Sequence, residues 1–467
     1  MSSVDKKQKI VGTLVPLSAL TSIKSQKEDQ GTFEVGTAFL DWLKKTNQSA
    51  WQVLPLHQTQ LEKGSSTRRV PSPYKGYGIG LDPKYLSSSA KAQQPTKEEV
   101  VKFGEENSYW IHDYALFAAL TSHFGTDDWR KWDEELKNRR KEALSRWSRE
   151  LKVDIYKHTV IQYQLHRSYK LLKTKAKSMK ISLMGDLPFY VSVNSPLVWA
   201  NQEAFQLKNG GEVERVSGVP HGVNSHFGRQ VWGHPLYNWD IEKGKSQALE
   251  FWYLRLRYMA TLFDSIRIDH IIAFYRYGAL NSKSKLKDMY LEGPGSPVLK
   301  KVIDYGRKCG LSIYVEDSGK NVKIVNEFLA ELKIPGIKLF RFALDELTGM
   351  VVRKYADIAS YPVDSVAYTT THDTESLISY IKILTERQRL DLSEASKIPY
   401  SSDAFAFAER LRNGVISSPS RTVIVPIQDW LLTTDRINIP GTEKEVDDPN
   451  WRYILNVSVE DLPEVTW

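Results

Sequence analysis

An arginine and an aspartate stand two positions apart in a short apolar run, Ser265 to His270. Alternate side chains of an extended strand point to the same side, so Arg267 and Asp269 should be neighbours. The positive charge of Arg267 is then expected to lower the pKa of the Asp269 carboxyl and keep it ionised, as a nucleophile requires. A structural ion pair buried in the core would give the same pattern, and the motif alone does not separate the two interpretations.

Two further acids follow apolar runs later in the chain. Glu316 comes after Ile313-Tyr314-Val315, and Asp373 comes after His372, which could hydrogen-bond a substrate hydroxyl. Partial burial would raise the pKa of Glu316 toward the range of a general acid. One ionised carboxylate, one protonated carboxyl and a third acid are the groups that retaining glycoside chemistry uses. For each acid alone, capping or ion pairing is an equally good interpretation.

The elements that would bring these acids together are eight short, β-rich runs separated by helical patterns. Continuous apolar runs are typical of parallel strands covered on both faces, and eight of them predict an α/β fold, a (β/α)₈ TIM-type barrel. In that fold the active site lies at the C-terminal ends of the strands, so the three acids should converge. The runs are residues 10–16, 51–56, 181–186, 265–270, 312–317, 337–342, 366–371 and 422–427.

Two connections are too long for a plain barrel. The first contains a Gly/Pro/Ser-rich loop (60–84) and a charged, Trp- and Arg-rich block, which predicts a helical insertion subdomain at 85–180. The second, 201–245, has little periodicity and predicts a substrate-binding loop. Both would lie over the C-terminal face of the strands in a single catalytic domain spanning 1–467. Helical spacing of apolar residues further predicts helices at 33–45, 248–263 and 322–332.

Composition excludes several other classes. The 467 residues are 41% hydrophobic and 26% charged, ordinary values for a soluble globular protein. The single cysteine, Cys309, excludes an internal disulfide and a cysteine-rich metal site, and suits a cytoplasmic location. No phosphate-binding loop or HExxH zinc motif is present, and Arg267 argues against a metal held by Asp186 and the three acids.

The charge pattern and the apolar runs exclude two kinds of partner. The net charge of +8 is spread out, and the basic run 137–141 is interpreted as a solvated helix face rather than a nucleic-acid site. No run reaches the roughly 18 apolar residues of a membrane span. We therefore expect neither nucleic acid nor membrane as a partner, and the sequence does not predict an oligomeric state.

Taken together, the motifs resemble the 4-α-glucanotransferases called amylomaltases or disproportionating enzymes. The resemblance extends over nearly the whole chain and includes segments outside the three acids. The matching segments are Gly12–Leu20, Trp51–Leu56, Ser72-Pro73-Tyr74, Gly185–Ser192, Val198–Ala200, Arg267–His270, Glu316-Asp317, Thr371–Asp373, Arg436–Thr442 and Asn450-Trp451.

The resemblance implies a retaining double displacement through a covalent glucosyl-aspartate, without a cofactor. It implies Asp269 as nucleophile, Glu316 as acid/base and Asp373 as stabiliser of the transition state. The implied substrate-binding residues are Arg267, His270, His372, Asp186, Tyr74, Trp232 and Asn438. Tyr74 and Trp232 would stack on sugar faces, although such residues more often pack in cores.

The chain departs from the family pattern in its binding loop. Gly222 stands where the family has an aspartate, and His234 where it has an asparagine. Smaller departures are Ile271–Ala273, Ser318 and Thr374–Ser376. The expected function is transfer of α-1,4-glucan segments between maltodextrin donors and acceptors. Two alternatives stay open: an α-glucan hydrolase whose altered loop admits water, and a catalytically weak glucan-binding protein.

Overall fold

The computed structural model describes residues 9–220, 228–239, 246–281, 287–317, 323–444 and 447–467. Each of the eight predicted runs overlaps one strand of an eight-stranded parallel sheet, in the order β10-β11-β12-β1-β2-β3-β6-β9, with the bounds agreeing to within one residue where a strand extends beyond its run. The (β/α)₈ barrel is thereby confirmed. The described strands are β1 (Ile10–Leu14), β2 (Ala50–Gln52), β3 (Ser182–Leu187), β4 (Arg215–Val219), β5 (Gln230–Pro235), β6 (Ser265–Ile268), β7 (Arg276–Asn281), β8 (Met289–Glu292), β9 (Ser312–Val315), β10 (Ile337–Leu339), β11 (Val366–Tyr368) and β12 (Thr422–Pro426).

The barrel is nearly closed at the seam between β9 and β10. The backbone N–H of Val315 donates to the carbonyl of Pro335 across 3.0 Å. The N–H of Ile337 donates to Oδ1 of Asp317 across 2.7 Å. The Asp317 side chain therefore supplies one of the hydrogen bonds that a pair of strands would otherwise form where the barrel closes.

The three helices predicted from periodicity are confirmed to within one residue at their described ends, because each has one apolar face that packs on the barrel. Residue 322, the predicted start of the third, lies outside the described residues. The helices are α1 (Phe33–Lys45), α2 (Ser88–Ala92), α3 (Lys97–Glu106), α4 (Ile111–Phe124), α5 (Glu134–Lys137), α6 (Lys141–Glu150), α7 (Lys152–Ser178), α8 (Pro196–Ala200), α9 (Gln247–Leu262), α10 (Gly295–Lys308), α11 (Lys323–Glu331), α12 (Arg353–Ala356), α13 (Leu377–Ile383), α14 (Glu386–Ser396), α15 (Ala404–Ser417) and α16 (Ile427–Leu431).

The insertion between β2 and β3 carries α2 to α7. Within it Phe124 packs against Trp132 and Trp147, and Trp132 also packs edge-on to Trp199 of α8, outside the insertion. Arg139, from the basic run, pairs with Asp113 at 2.6 Å and lies over the Trp199 ring. The charge of Arg139 is therefore paired within the protein and packed against α8, and does not face solvent alone. The division of the chain into a barrel and a helical subdomain stays a prediction.

A second, four-stranded antiparallel sheet has the order β5-β4-β7-β8 and was not predicted. The expectation of little regular structure between 201 and 245 is wrong for β4 and β5. The glycines in this part of the sequence are typical of loops, but Gly218 and Gly278 are paired across β4 and β7. A Cβ at Gly278 would lie 2.0 Å from the Gly218 carbonyl oxygen, so the glycines mark a close backbone approach.

In the parts of the chain that the structure covers, no helix is both long and apolar enough to cross a membrane.

Candidate active site

The three acids converge, as the strand assignment predicted. Asp269, Glu316 and Asp373 follow β6, β9 and β11 and line one cavity at the C-terminal face of the barrel. Tyr74, Trp232, His270 and Asn438 line the same cavity. The other three predicted site residues, Asp186, Arg267 and His372, are buried directly behind these side chains. Sequences far apart meet here because parallel strands end at one edge of the barrel.

Arg267 lies among three carboxylates. Its Nη2 contacts Oδ1 of Asp269 and lies 3.5 Å from Oε2 of Glu316, while its Nε lies 3.3 Å from Oδ1 of Asp186. Asp186 and Arg267 are register partners on β3 and β6, which places their side chains at the same level of the barrel. Arg267 is only 4% exposed, so its charge acts on these acids with little screening by solvent.

The sequence predicted a lowered pKa for Asp269 and a raised pKa for Glu316. In the free site both shifts have the opposite direction, so this prediction is wrong. Burial raises the pKa of Asp269 well above its usual range, and Arg267 offsets this only in part. Burial also acts upward on Glu316, but Arg267, the backbone N–H of His270 and a hydrogen bond from Asp269 lower its pKa. The two carboxyls interact directly, so the free site shares one proton between Asp269 and Glu316. The prediction failed because it assigned Arg267 to one acid instead of three.

Asp373 is held in its ionised form. Burial alone would raise its pKa, but His372, the Asn438 amide and Arg267 together lower it to about 2. Nε2 of His372 lies 3.1 Å from Oδ2 of Asp373, and Nδ2 of Asn438 donates to Oδ1 across 2.7 Å. A fixed negative charge at the cavity wall can stabilise positive charge that develops on a bound sugar.

Tyr74 joins two of the buried residues to the cavity. Its hydroxyl donates to Oδ2 of Asp186 across 2.7 Å and lies 2.9 Å from Nε2 of His372. Its ring stacks on the His372 ring and leans against Trp451. Tyr74 is thus both a flat wall of the cavity and a link between the β3 and β11 strand ends.

His270 turns the chain at the end of β6. Its φ of 48° lies in the left-handed region, which is uncommon for a residue with a side chain. The turn points its N–H at Oε2 of Glu316 across 3.1 Å, and its ring meets the Trp232 ring edge-on at 4.8 Å. The strained backbone of His270 thus provides a hydrogen bond to Glu316, which directly follows the neighbouring strand β9.

Ten more cavity-lining residues were not predicted as site residues, among them His234, the aromatic residues Tyr190 and Trp451, and the charged residues Lys75 and Glu443. The two aromatic residues lie inside segments that carried the family resemblance, so their motifs held a usable signal. The two charged residues showed no signal beyond their place beside such motifs. Gly222 and Ser318, noted as departures, lie outside the described residues.

Among the residues that the structure describes, no group of three or more His, Cys, Asp or Glu side chains is arranged to hold a metal ion. The acids of the cavity instead have Arg267 as their shared cation.

Comparisons with known proteins give one consistent description of the family that this chain resembles. The family model described as "4-alpha-glucanotransferase" matches residues 18–90 and 79–458. The chain is 30% identical over 452 residues to a 4-alpha-glucanotransferase of Aquifex aeolicus, covering 89% of each chain. It is 29% identical to the chloroplastic/amyloplastic 4-alpha-glucanotransferase of Solanum tuberosum, covering 91% of this chain and 79% of that protein. It also resembles the amylomaltase of Streptococcus agalactiae solved in complex with acarbose, with a TM-score of 0.80, 25% identity and coverage of 98% and 97%.

Proposed function

We propose, because this chain belongs to the 4-α-glucanotransferase family, that its cavity transfers α-1,4-glucan segments between maltodextrins through a covalent glucosyl-aspartate. The observation that carries the proposal is the placement of Asp269, Glu316 and Asp373 around one cavity with Arg267 behind them. Asp269 acts as the nucleophile, Glu316 as the acid/base and Asp373 as the transition-state stabiliser.

The spacing of the first two acids supports retention of configuration. Asp269 and Glu316 contact the same Arg267 nitrogen, so the nearest oxygens lie no further apart than about 6 Å. An inverting enzyme needs a wider gap, because a water must fit between the sugar and the second carboxylate. A close pair suits direct attack by one carboxylate.

The protonation state of the free site gives the reaction a first step. The shared proton moves onto Glu316 as a bound glycosidic oxygen accepts a hydrogen bond from that carboxyl. Asp269 is then ionised, attacks the anomeric carbon, and the glycosidic C–O bond breaks. Glu316 gives its proton to the departing oxygen.

The second half returns the site to its starting state. The 4-hydroxyl of an acceptor glucan gives its proton to Glu316 and attacks the glucosyl ester, which frees Asp269. Asp373, ionised at neutral pH, faces the positive charge that develops on the sugar in both steps. Trp232 and Tyr74 offer flat apolar faces at the cavity wall for the sugar rings.

Incubation of the purified protein with maltotriose tests the proposal. Glucose together with a ladder of oligomers longer than maltotriose is the expected result. Glucose and maltose without longer products would replace transferase by α-glucan hydrolase. Unchanged maltotriose with saturable binding would replace it by a glucan-binding protein. Isotope-labelled glucose as an added acceptor should appear at the reducing end of the new oligomers.

A further inference from the structure

Two histidines outside the acid cluster hold consecutive carbonyls of the loop that carries Tyr74. Nε2 of His57 lies 2.9 Å from the carbonyl oxygen of Pro73, and Nε2 of His234 lies 3.2 Å from that of Tyr74. A carbonyl oxygen only accepts, so each histidine donates an Nε2–H. The two histidines belong to different sheets, since His57 follows barrel strand β2 and His234 lies on β5 of the four-stranded sheet.

The tautomer of His234 is set by its other neighbour. The hydroxyl oxygen of Ser217 accepts the backbone N–H of His234 at 3.3 Å and lies 3.0 Å from its Nδ1. The hydroxyl therefore donates to Nδ1, which leaves the imidazole proton on Nε2, facing Tyr74. The ring is 8% exposed and lies parallel to the Tyr190 ring, with 5.8 Å between centroids.

His57 is held in place by steric contact with the chain that it supports. A Cβ built on Gly76 would lie 2.0 Å from Cδ2 and 2.1 Å from Nε2 of the His57 ring. The backbone of Gly76 is not in the left-handed region, so its lack of a side chain serves the histidine contact and not a turn. Burial lowers the pKa of His57 to about 3 and that of His234 to about 4. Both rings are therefore neutral donors at neutral pH.

We infer that His57 and His234 are positioning residues that clamp the Pro73–Tyr74 backbone, so that the Tyr74 hydroxyl stays on Asp186 and His372. The inference rests on the proposed function for its effect on the reaction. Neither histidine needs to touch the reacting atoms. They act through Tyr74, whose hydroxyl spans the 2.7 Å and 2.9 Å contacts to the two buried site residues.

Leucine and glutamine substitutions separate the donated hydrogen bond from the volume of the ring. His57→Leu and His234→Leu remove the donor, and we expect each to lower kcat/KM on maltotriose about tenfold, the usual worth of one hydrogen bond. His57→Gln and His234→Gln keep a side-chain N–H near the position of Nε2 and should recover most of the loss. Gly76→Ala, which pushes the His57 ring aside, should resemble His57→Leu.

Three controls distinguish positioning from a loss of stability. His166→Leu removes a half-buried histidine, which donates to a helix carbonyl away from the cavity, and should leave kcat/KM of the folded protein unchanged. Gly104→Ala adds a methyl where the structure has open space and should also leave it unchanged. In the Tyr74→Phe background, each leucine substitution should lower kcat/KM only about twofold or less, because the hydroxyl it positions is gone.

The inference is overturned if the leucine variants match His166→Leu per folded molecule, or if their losses are equally large with Tyr74→Phe. If the leucine variants do not fold, kcat/KM of Gly76→Ala is compared with that of Gly104→Ala. Equal values for the two folded proteins overturn the inference. Calorimetry of acarbose binding gives a readout that does not depend on transfer, so the inference and the proposed function can fail separately. Wild-type binding without transfer would refute the transferase while clamp variants that bind more weakly still support the clamp. If the wild type neither transfers nor binds, both fall.

Discussion

Nδ2 of Asn438 donates a hydrogen bond to Oδ1 of Asp373 across 2.7 Å, although the two residues lie 65 positions apart. The amide is one of the groups that keep the Asp373 pKa at about 2 against the opposing effect of burial. Asn438 is 4% exposed, so the bond is shielded from water. The late segment that carries Asn438 therefore helps set the charge state of an acid on the loop that follows β11.

Asn438→Ala should raise the Asp373 pKa and lower kcat about tenfold at pH 7, from the loss of one hydrogen bond to a charged group. Because Asp373 must be ionised, the acidic limb of the kcat profile should move to higher pH. Steady-state rates from pH 2.5 to 8 measure this, because an acidic limb set by a pKa of about 2 lies below pH 4. Asn201→Ala, which removes an amide bonded to the Leu197 carbonyl, is the matched control. An unmoved acidic limb would contradict the proposed link.

Asp269→Gly and Glu316→Ala should each lower transfer at least about a thousandfold, as loss of a group in the reacting set does. Azide distinguishes the two roles with α-glucosyl fluoride as donor. It should enter the space left by Asp269 and give the β-glucosyl azide, whereas in Glu316→Ala it should capture the glucosyl-enzyme and give the α-glucosyl azide. Nuclear magnetic resonance of the products reads the configuration. The same anomer from both variants would refute the assignment.

Arg267→Met should leave Asp186, Asp269 and Glu316 without their shared cation. Breaking such a buried network destabilises proteins by about 3–5 kcal/mol. Without the guanidinium the folded-state pKa values of all three acids rise in the variant, so its stability deficit should be largest above pH 6 and shrink as the acids become protonated at lower pH. Urea unfolding at pH 7, 5 and 4 measures the deficit. A deficit that does not change with pH would show that packing, rather than charge, is lost.

His166 should make the protein less stable in acid. Burial lowers its pKa to about 4, against 6.5 in the unfolded chain. The folded state disfavours the charged form, so the contribution is complete above pH 6.5 and falls by up to about 3 kcal/mol as the pH drops toward 4. His166→Gln should therefore lose stability relative to wild type at pH 7 and regain it at pH 4. Parallel unfolding curves of the two proteins at every pH would exclude this role.

Asp429 ties together the loop that carries Asp373. Its Oδ2 accepts from the Thr369 and Thr370 hydroxyls at 2.5 and 2.6 Å, and its Oδ1 accepts the Leu377 N–H at 2.6 Å. These partners flank the strand end and the start of α13, so the carboxyl fixes both sides of the loop. Burial nevertheless raises its pKa to about 6.

Asp429→Asn should therefore gain stability relative to wild type as the pH rises. The wild-type acid favours folding most below pH 4, and this contribution falls by about 3 kcal/mol between pH 4 and 6 as the buried carboxyl ionises. Urea unfolding of both proteins at pH 4 and 7 gives the difference. Asp429→Ala, which leaves three donors without an acceptor, should be less stable than wild type at both pH values. A wild-type advantage over Asp429→Asn that grows with pH would contradict the sign.

The sequence predicted the barrel and its catalytic acids because both depend on local information. Continuous apolar runs identify parallel strands, and each of the three acids stands at or just beyond the C-terminal end of such a run. The small sheet escaped prediction because β4 and β7 are held by backbone hydrogen bonds between segments about 60 residues apart. Its paired glycines give the same local signal as a loop.

The amino-acid sequence by itself determined which residues stand at the strand ends, and thus that Asp269, Glu316 and Asp373 would share one cavity. Only the tertiary structure decided that Asp269 and Glu316 share Arg267 and a proton, and what holds Tyr74. A pKa depends on every charge within a few ångströms, and Arg267 meets three carboxylates from strands that are distant in sequence. His57 and His234 likewise find the Pro73 and Tyr74 carbonyls only when two separate sheets are assembled.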